Sequence, residues 1–229
     1  MSERAPVITI DGPSGSGKGT VTQRVAAALG WHVLDSGALY RLVGLAVDQS
    51  GGDFDDENKI SDIAATLKVS FENGRVVMDG RDVTDAIRSE RAGNNASRVA
   101  ALPAVRAALL DWQRDCARRP GLVADGRDMG TTVFPDAGLK IFLTASAAER
   151  ALRRYKQLIE KGMPANLPAL TTEIETRDQR DRNRAASPLV PAADAIEIDS
   201  TTLTIDEVVD RILERARAAF GDKVAGGRA

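Results

Sequence analysis

The run Val7-Ile8-Thr9-Ile10-Asp11, followed by Gly12-Pro13-Ser14-Gly15-Ser16-Gly17-Lys18-Gly19-Thr20, constrains this chain more than any other stretch. An apolar, β-branched segment ends at a glycine-rich turn, after which apolar residues recur at helical spacing from Gly19 to Leu29. Strand, turn and helix in that order point successive backbone N–H groups and the positive end of a helix dipole at one spot, and that spot suits phosphate. Glycines allow positive φ and close backbone approach, while the Lys18 ammonium can reach the β and γ phosphates of a nucleotide. Gly19 departs from the common pattern, which has Ser or Thr after the lysine; the hydroxyl falls on Thr20, rotated by about 100° around the helix. Direct coordination of Mg²⁺ by Thr20 is therefore disfavoured, and no protein side chain is expected as a metal ligand. An ion held by nucleotide oxygens and water fits better, because Mg²⁺ gives up its waters reluctantly. The rival is a dinucleotide-binding turn, since Gly15 and Gly17 begin a G-x-G and Asp35 ends a later apolar run. That fingerprint needs a small Gly or Ala where Thr20 stands, and it gives Lys18 no role.

Four more short apolar runs follow, at Trp31 to Asp35, Leu122 to Gly126, Leu139 to Ala145 and Ala195 to Asp199. Near-continuous apolar runs suit strands buried on both faces of a parallel sheet. Helical spacing marks Ala38 to Val47, Pro103 to Arg118, Ala147 to Glu160 and Ile205 to Phe220, so strand and helix alternate and an open parallel sheet is expected. Two stretches interrupt the alternation. Asn73-Gly74 lies between the β-prone runs Val69 to Glu72 and Arg75 to Met78, with Asp79-Gly80 beyond, which predicts an antiparallel insertion over about residues 63 to 91. Gly162, Pro164 and Pro168 then introduce the charged run Thr176 to Arg184, which reads as a short lid over about 162 to 184. The core is left with residues 6–62, 92–161 and 185–220, and the Gly- and Ala-rich tail after Phe220 is expected to fray.

Composition removes several alternatives. With 31 basic against 33 acidic residues the net charge is −2, so no global field points to nucleic acid or an anionic membrane, and a phosphate site has to be local. One cysteine, Cys116, and one histidine, His32, argue against an internal disulfide, a His-rich metal site and a hydrolase triad. Neither a signal peptide nor a membrane-spanning run is visible, and no long apolar pattern demands a partner, which together predict a cytoplasmic monomer.

Arginines cluster where strands should end. Arg41 follows the second apolar run and Arg127 the third, the edge of a parallel sheet at which ligands bind. Arg106 puts a cation in the first turn of the helix opened by Pro103, an unfavourable place that a bound phosphate would explain. On a helix, Arg177, Arg180, Asp181 and Arg184 share one face, and Asp181 can pair with Arg177 and Arg184. A charge-laced solvated helix is the ordinary explanation of such a run.

The Gly17-Lys18-Gly19-Thr20 ending resembles that of nucleoside monophosphate kinases. Asp35-Ser36-Gly37-Ala38-Leu39-Tyr40-Arg41, Asp125-Gly126-Arg127-Asp128-Met129-Gly130-Thr131 and Arg177 to Arg184 with Ser187-Pro188-Leu189 closely resemble the bacterial cytidylate kinases. The likeness runs from Pro6 to about Ala219 and includes the antiparallel insertion. It implies a three-layer α/β fold of the P-loop NTPase type, with a five-stranded parallel sheet, the insertion as the nucleoside monophosphate-binding part and the short lid. It implies transfer of the γ-phosphoryl group of ATP, with Mg²⁺, to CMP or dCMP. By the same resemblance Gly12 to Thr20, with Arg150 and Arg154, bind ATP. Ser36, Tyr40, Arg41, Ser97, Arg106, Arg127, Asp128, Asp181 and Arg184 bind the acceptor nucleotide, and Lys18, Arg127, Arg177 and Arg180 serve catalysis. Arg127 and Asp128 together match the cytosine edge, whose N4 amino group donates beside acceptors, while uracil would turn a carbonyl toward the carboxylate. A salt bridge from Asp128 to Arg127 is the plainer alternative. A kinase for UMP or AMP is the nearest other enzyme, and a nucleotide-dependent switch would have no use for the arginines after the second and third strands.

Overall fold

All five apolar runs are strands in the computed structural model, which describes residues 5–72 and 75–221. β1 (Val7–Asp11) leads through the glycine turn into α1 (Lys18–Leu29), and β2 (His32–Asp35) follows. Next come α2 (Ser36–Gln49), α3 (Glu57–Thr66) and the short strands β3 (Val69–Glu72), β4 (Arg75–Met78) and β5 (Arg81–Asp82). α4 (Glu90–Val99) and α5 (Pro103–Asp115) precede β6 (Leu122–Gly126), a π-helical turn at Met129–Val133, and β7 (Leu139–Thr144). α6 (Ala147–Glu160), α7 (Leu167–Asn183), β8 (Ile196–Asp199) and α8 (Ile205–Phe220) complete the order.

The expected five-stranded parallel sheet is present, in the order β2-β6-β1-β7-β8. β1 and β6 are buried at every residue, which is why both read as unbroken apolar runs rather than alternating ones. Their register pairs Asp11 with Gly126, so the glycine turn and Arg127 leave the sheet side by side. Ile8, Ile10, Val123, Ile141 and Leu143 of the sheet pack with Val21 and Val25 of α1 and Val208, Val209 and Ile212 of α8 in one core cluster. Gly12 is held between β1 and β7. It takes φ 150, and a Cβ there would stand 2.0 Å from the Leu143 carbonyl oxygen.

The chain falls into two compact units: the described residues up to Asp35 together with those from Arg114 onward, and Ser36–Gln113. The second unit contains the antiparallel sheet β3-β4-β5, with Val69 opposite Met78 and Val77 opposite Asp82. Asp79 and Gly80, at φ 49 and 78, make the turn between β4 and β5, while the Asn73-Gly74 turn lies outside the described residues. The unit also takes in α2 and α4, which cross so closely that a Cβ on Gly44 would meet Asn95 Cβ at 2.9 Å.

Helices α3 and α4 were not anticipated, although each starts at a side-chain cap that is visible in the sequence. Asp56 accepts from Lys59 N and Ser89 from Ala92 N. α5 ends at Asp115 rather than Arg118, ahead of Pro120. α7 begins at Leu167 with Pro168 in its first turn, where a missing N–H costs nothing, and Asn166 caps it. The tail expected to fray after Phe220 lies, from residue 222, outside the described residues. Gly12→Ala forces a methyl group onto a backbone carbonyl, and urea denaturation should show a loss of about 3 kcal/mol.

Candidate active site

Gly17, at φ 93, is the N-cap of α1, and no side chain caps that helix. The first-turn amides of α1 therefore lack the side-chain acceptor that a helix start usually carries, which suits them to an anion. Several carbonyls of the turn, by contrast, already have protein donors. Lys18 Nζ donates to Pro13 O at 2.8 Å, Arg150 Nη1 to Ser14 O at 2.9 Å, and Ser200 Oγ to Ser16 O at 3.3 Å. Arg153 adds a longer bond to Ser16 O and two to Ser200. Sequence reasoning missed Arg153 and Ser200, since both act from α6 and the end of β8 on backbone atoms of the turn, and backbone acceptors leave no trace in a sequence.

Lys18 is buried, and its surroundings decide its charge. Burial pushes the ammonium well below its ordinary pKa, Arg127 and Arg177 push the same way, and Asp125 and Asp11 oppose them. Asp125, at the end of β6, is held well above the usual carboxylate range by burial, against the pull of Lys18 and Arg127. Asp11 is raised to about 6, also chiefly by burial, although Gly130 N and Met129 N donate to its carboxylate. Neither Asp11 nor Asp125 was singled out from the sequence. Both sit at the ends of core strands, and an aspartate closing such a run is the signal that could have found them.

The lid helix α7 adds its own charges. Asp181 is buried and accepts from Arg127 Nε at 3.0 Å. Burial pushes its pKa up, but Arg127, Arg177 and Arg184 outweigh that and hold the carboxyl below its ordinary value. Asp178, one turn earlier, receives both terminal nitrogens of Arg150, with Nη1 to Oδ1 at 3.0 Å and Nη2 to Oδ2 at 2.5 Å. Arg150 is only 3% exposed, and its Nε donates to Ala145 O. It therefore joins the end of β7, the glycine turn and α7. Arg154, the other arginine expected to face ATP, is half-buried on α6, and Arg180 is exposed on α7.

Arg184 is not on the helical face predicted for it. α7 stops at Asn183, Arg184 is extended, and its Nε donates to Ser187 O. Beside the alternative pairing of Asp128 with Arg127, the structure offers Asp128 another cation. Arg184 Nη2 lies 3.7 Å from Asp128 Oδ1, and Arg127 is engaged with Asp181. Arginines and aspartates alternate through both motifs, and only the three-dimensional path selects the partners.

The Ser36–Gln113 unit holds the remaining residues singled out in the sequence. Ser36 opens α2 and Ser97 lies on α4, both buried. Arg106 is buried with its guanidinium 5.6 Å from the centre of the Tyr40 ring, and Nη1 donates to Ala100 O at 3.2 Å. The carbonyl end of α4 thus meets a cation that is unfavourable for α5 alone. Arg41 Nη1 donates to Ile87 O at 2.7 Å and Ser89 O at 3.2 Å.

Buried cations gathered beside a helix start without a side-chain cap mark this as a P-loop phosphotransferase. The cytidylate kinase family profile matches residues 8–218. A cytidylate kinase of Aeromonas salmonicida is 55% identical over 229 residues, covering 98% of this chain and 100% of the relative. A cytidylate kinase of Pseudomonas syringae pv. tomato is 58% identical over 219 residues, covering 93% and 96%. The chain belongs to the cytidylate kinase family, phosphotransferases whose acceptor is itself a phosphate group. Solved structures match at the level of the fold. A gluconokinase from Sinorhizobium meliloti has a TM-score of 0.50 at 15% identity, covering 95% of each chain. An uncharacterized protein from Eubacterium ventriosum has 0.52 at 11%, covering 94% and 99%. No helix among the described residues is long and apolar enough to cross a membrane.

Asp181→Asn leaves Arg127 without its buried anion and should cost about 3 kcal/mol at pH 7 in urea denaturation. The folded pKa of Asp181 lies below its unfolded value, so its contribution is present above about pH 4 and is lost as the pH falls through the folded pKa. The gap between parent and variant should accordingly be full at pH 7 and shrink below pH 4.

Proposed function

We propose a division of labour among these residues for the ATP-dependent phosphorylation of CMP and dCMP that membership of the cytidylate kinase family assigns to the chain. The acceptor is a phosphate monoester with a second pKa of about 6, already mostly dianionic at neutral pH, so no protein base has to activate it. The protein's task is to align two polyanions and offset the charge that develops between them. The observation that carries the reading is the buried Lys18 at the glycine turn, on whose charge Arg127 and Arg177 both act.

Gly12 to Thr20 hold the ATP phosphates through backbone amides, and Lys18 neutralises the β and γ groups. Arg177 and Arg180 of α7 meet the transferring phosphoryl group, and α7 excludes water that would otherwise hydrolyse ATP. Arg127 and Asp128 read the cytosine edge, with Asp181 and Arg184 at the acceptor's sugar or phosphate. In the Ser36–Gln113 unit, Arg41 and Arg106 hold the acceptor phosphate, with Ser36, Tyr40 and Ser97 completing the contacts; this unit, with its antiparallel sheet, is the acceptor-binding part. Arg154 contacts ATP, whereas Arg150, its donors already engaged with Ala145, Ser14 and Asp178, serves ATP by holding the turn. The setting is a cytoplasmic monomer.

Mg²⁺ supplies charge neutralisation on the β and γ phosphates. The residues present fit an ion held by nucleotide and water. A Cβ on Gly19 would sit 3.5 Å from Asp125 Oδ2, so the absent side chain keeps the first turn of α1 clear beside an acidic oxygen, which suits a hydrated ion. Asp125 is the residue to hold it in this way.

ADP production from ATP and Mg²⁺, with CMP, dCMP, UMP, AMP and GMP offered in parallel, tests the substrate; turnover of CMP and dCMP far above the others is expected. Asp128→Ala should reduce kcat/KM for CMP by about 100-fold and for UMP by less than about tenfold, whereas equal losses would remove Asp128 from base recognition. Arg177→Ala should lower kcat by about 10²-fold or more with the ATP dissociation constant within about threefold, as a contact made in the transition state requires. Weaker ATP binding at unchanged kcat would contradict that role.

A further inference from the structure

We propose that Asp11 is a positioning residue for base recognition: from the end of β1 its carboxylate caps the turn after Asp128 and so releases the Asp128 carboxylate for the substrate. The inference rests on the reading of Asp128 given above. Met129 N donates to Asp11 Oδ1 and Gly130 N to Asp11 Oδ2, each at 2.8 Å, so one carboxylate takes both amides at the start of the π-helical turn Met129–Val133. Asp128 occupies the N-cap of that turn, a position where an aspartate ordinarily accepts from the amides just ahead of it. It makes no such cap bond. Its carboxylate is directed instead toward Arg184, 3.7 Å away and almost fully buried with it.

The substitution of one cap by another follows from the sheet register. Asp11 stands opposite Gly126 across the β1–β6 pairing, so its side chain leaves the sheet beside the segment that runs on through Arg127 and Asp128. The turn is tightly seated against Asp11 and its neighbours, because a Cβ on Gly130 would meet Thr9 Oγ1 at 2.9 Å, Lys140 Cδ at 3.2 Å and Asp11 Oδ2 at 3.4 Å. With Asp11 in place the turn needs nothing from Asp128. With the Asp11 carboxylate weakened, the Gly130 amide, second in the turn, is the one that Asp128 at the N-cap can accept from, and a carboxylate used as a cap is lost to the cytosine amino group.

Asp11→Asn keeps the shape but offers one acceptor oxygen and one donor to two donors, so it tests this directly. The expected result is a KM for CMP raised about tenfold with a smaller change for UMP, so that CMP-over-UMP selectivity falls. In the Asp128→Ala background the same substitution should lower selectivity no further, because Asp11 acts through Asp128. Equal losses on CMP and UMP, or a further loss of selectivity in the double variant, would overturn the proposal. A selective effect of Asp128→Ala with none from Asp11→Asn overturns it too while leaving base recognition by Asp128 intact. Should Asp11→Asn not fold, amide exchange in the parent protein decides: Met129 and Gly130 must be strongly protected, and fast exchange at both refutes the cap.

Discussion

Like charges buried together are the constraint that the site is built around. Arg127 and Arg177 lie close enough to act on Lys18, from which water is largely excluded. Repulsion and desolvation both disfavour such an arrangement, and it persists because aspartates are placed among the cations. Asp11 and Asp125 come from the ends of β1 and β6, and Asp181 comes from α7. A site assembled in this way holds its cations in place by fixed anions, so their arrangement does not depend on a ligand. Two of these aspartates also have a mechanical task, because their oxygens accept from named donors: Asp11 from the amides after Asp128, and Asp181 from Arg127.

The same economy joins the lid to the glycine turn. α6 and α7 share a small apolar cluster of Ala151, Leu158 and Leu170, with Tyr155 and Ile174 against it. Nearer the turn the contact is ionic, through the Arg150–Asp178 pair, whose side chains are 3% and 8% exposed. An ionic seam differs from an apolar one in what separation costs. Both charged groups regain hydration when parted, which offsets much of the lost attraction, whereas parted leucines only lose. The apolar cluster fixes where α7 is anchored, and the charged seam leaves the end nearest the turn the cheaper one to part.

The parallel sheet was legible because burial on both faces leaves unbroken apolar runs, and β1, β2, β6, β7 and β8 were placed to within a residue or so. The glycine turn was legible because its geometry requires particular residue types. α3 and α4 were not read, since their apolar faces are short and the hairpin signal beside them dominated. Pairing within the site was legible least of all. Arg127, Asp128, Asp181 and Arg184 were each singled out, yet the pairs Arg127–Asp181 and Arg184–Asp128, which cross between the two motifs, were not. Sequence spacing governs contacts within one helix or strand. Here a strand end, a π-helical turn and an extended segment beyond α7 meet, and none of them fixes the others' registers.

Gly19 shows how a departure from a common pattern can be compensated by a residue outside it. A side chain at this position would stand against the carboxylate of Asp125, its Cβ 3.5 Å from Oδ2, and the glycine spares the buried carboxylate that crowding. Burial already holds the Asp125 carboxyl toward its protonated form, and Lys18 draws it back toward the charged one. A divalent cation and its waters near that oxygen would act in the same direction as Lys18. Gly19 and the buried aspartate are therefore two halves of one arrangement, in which the residue left without a side chain in the loop lies beside a carboxylate that the end of β6 supplies.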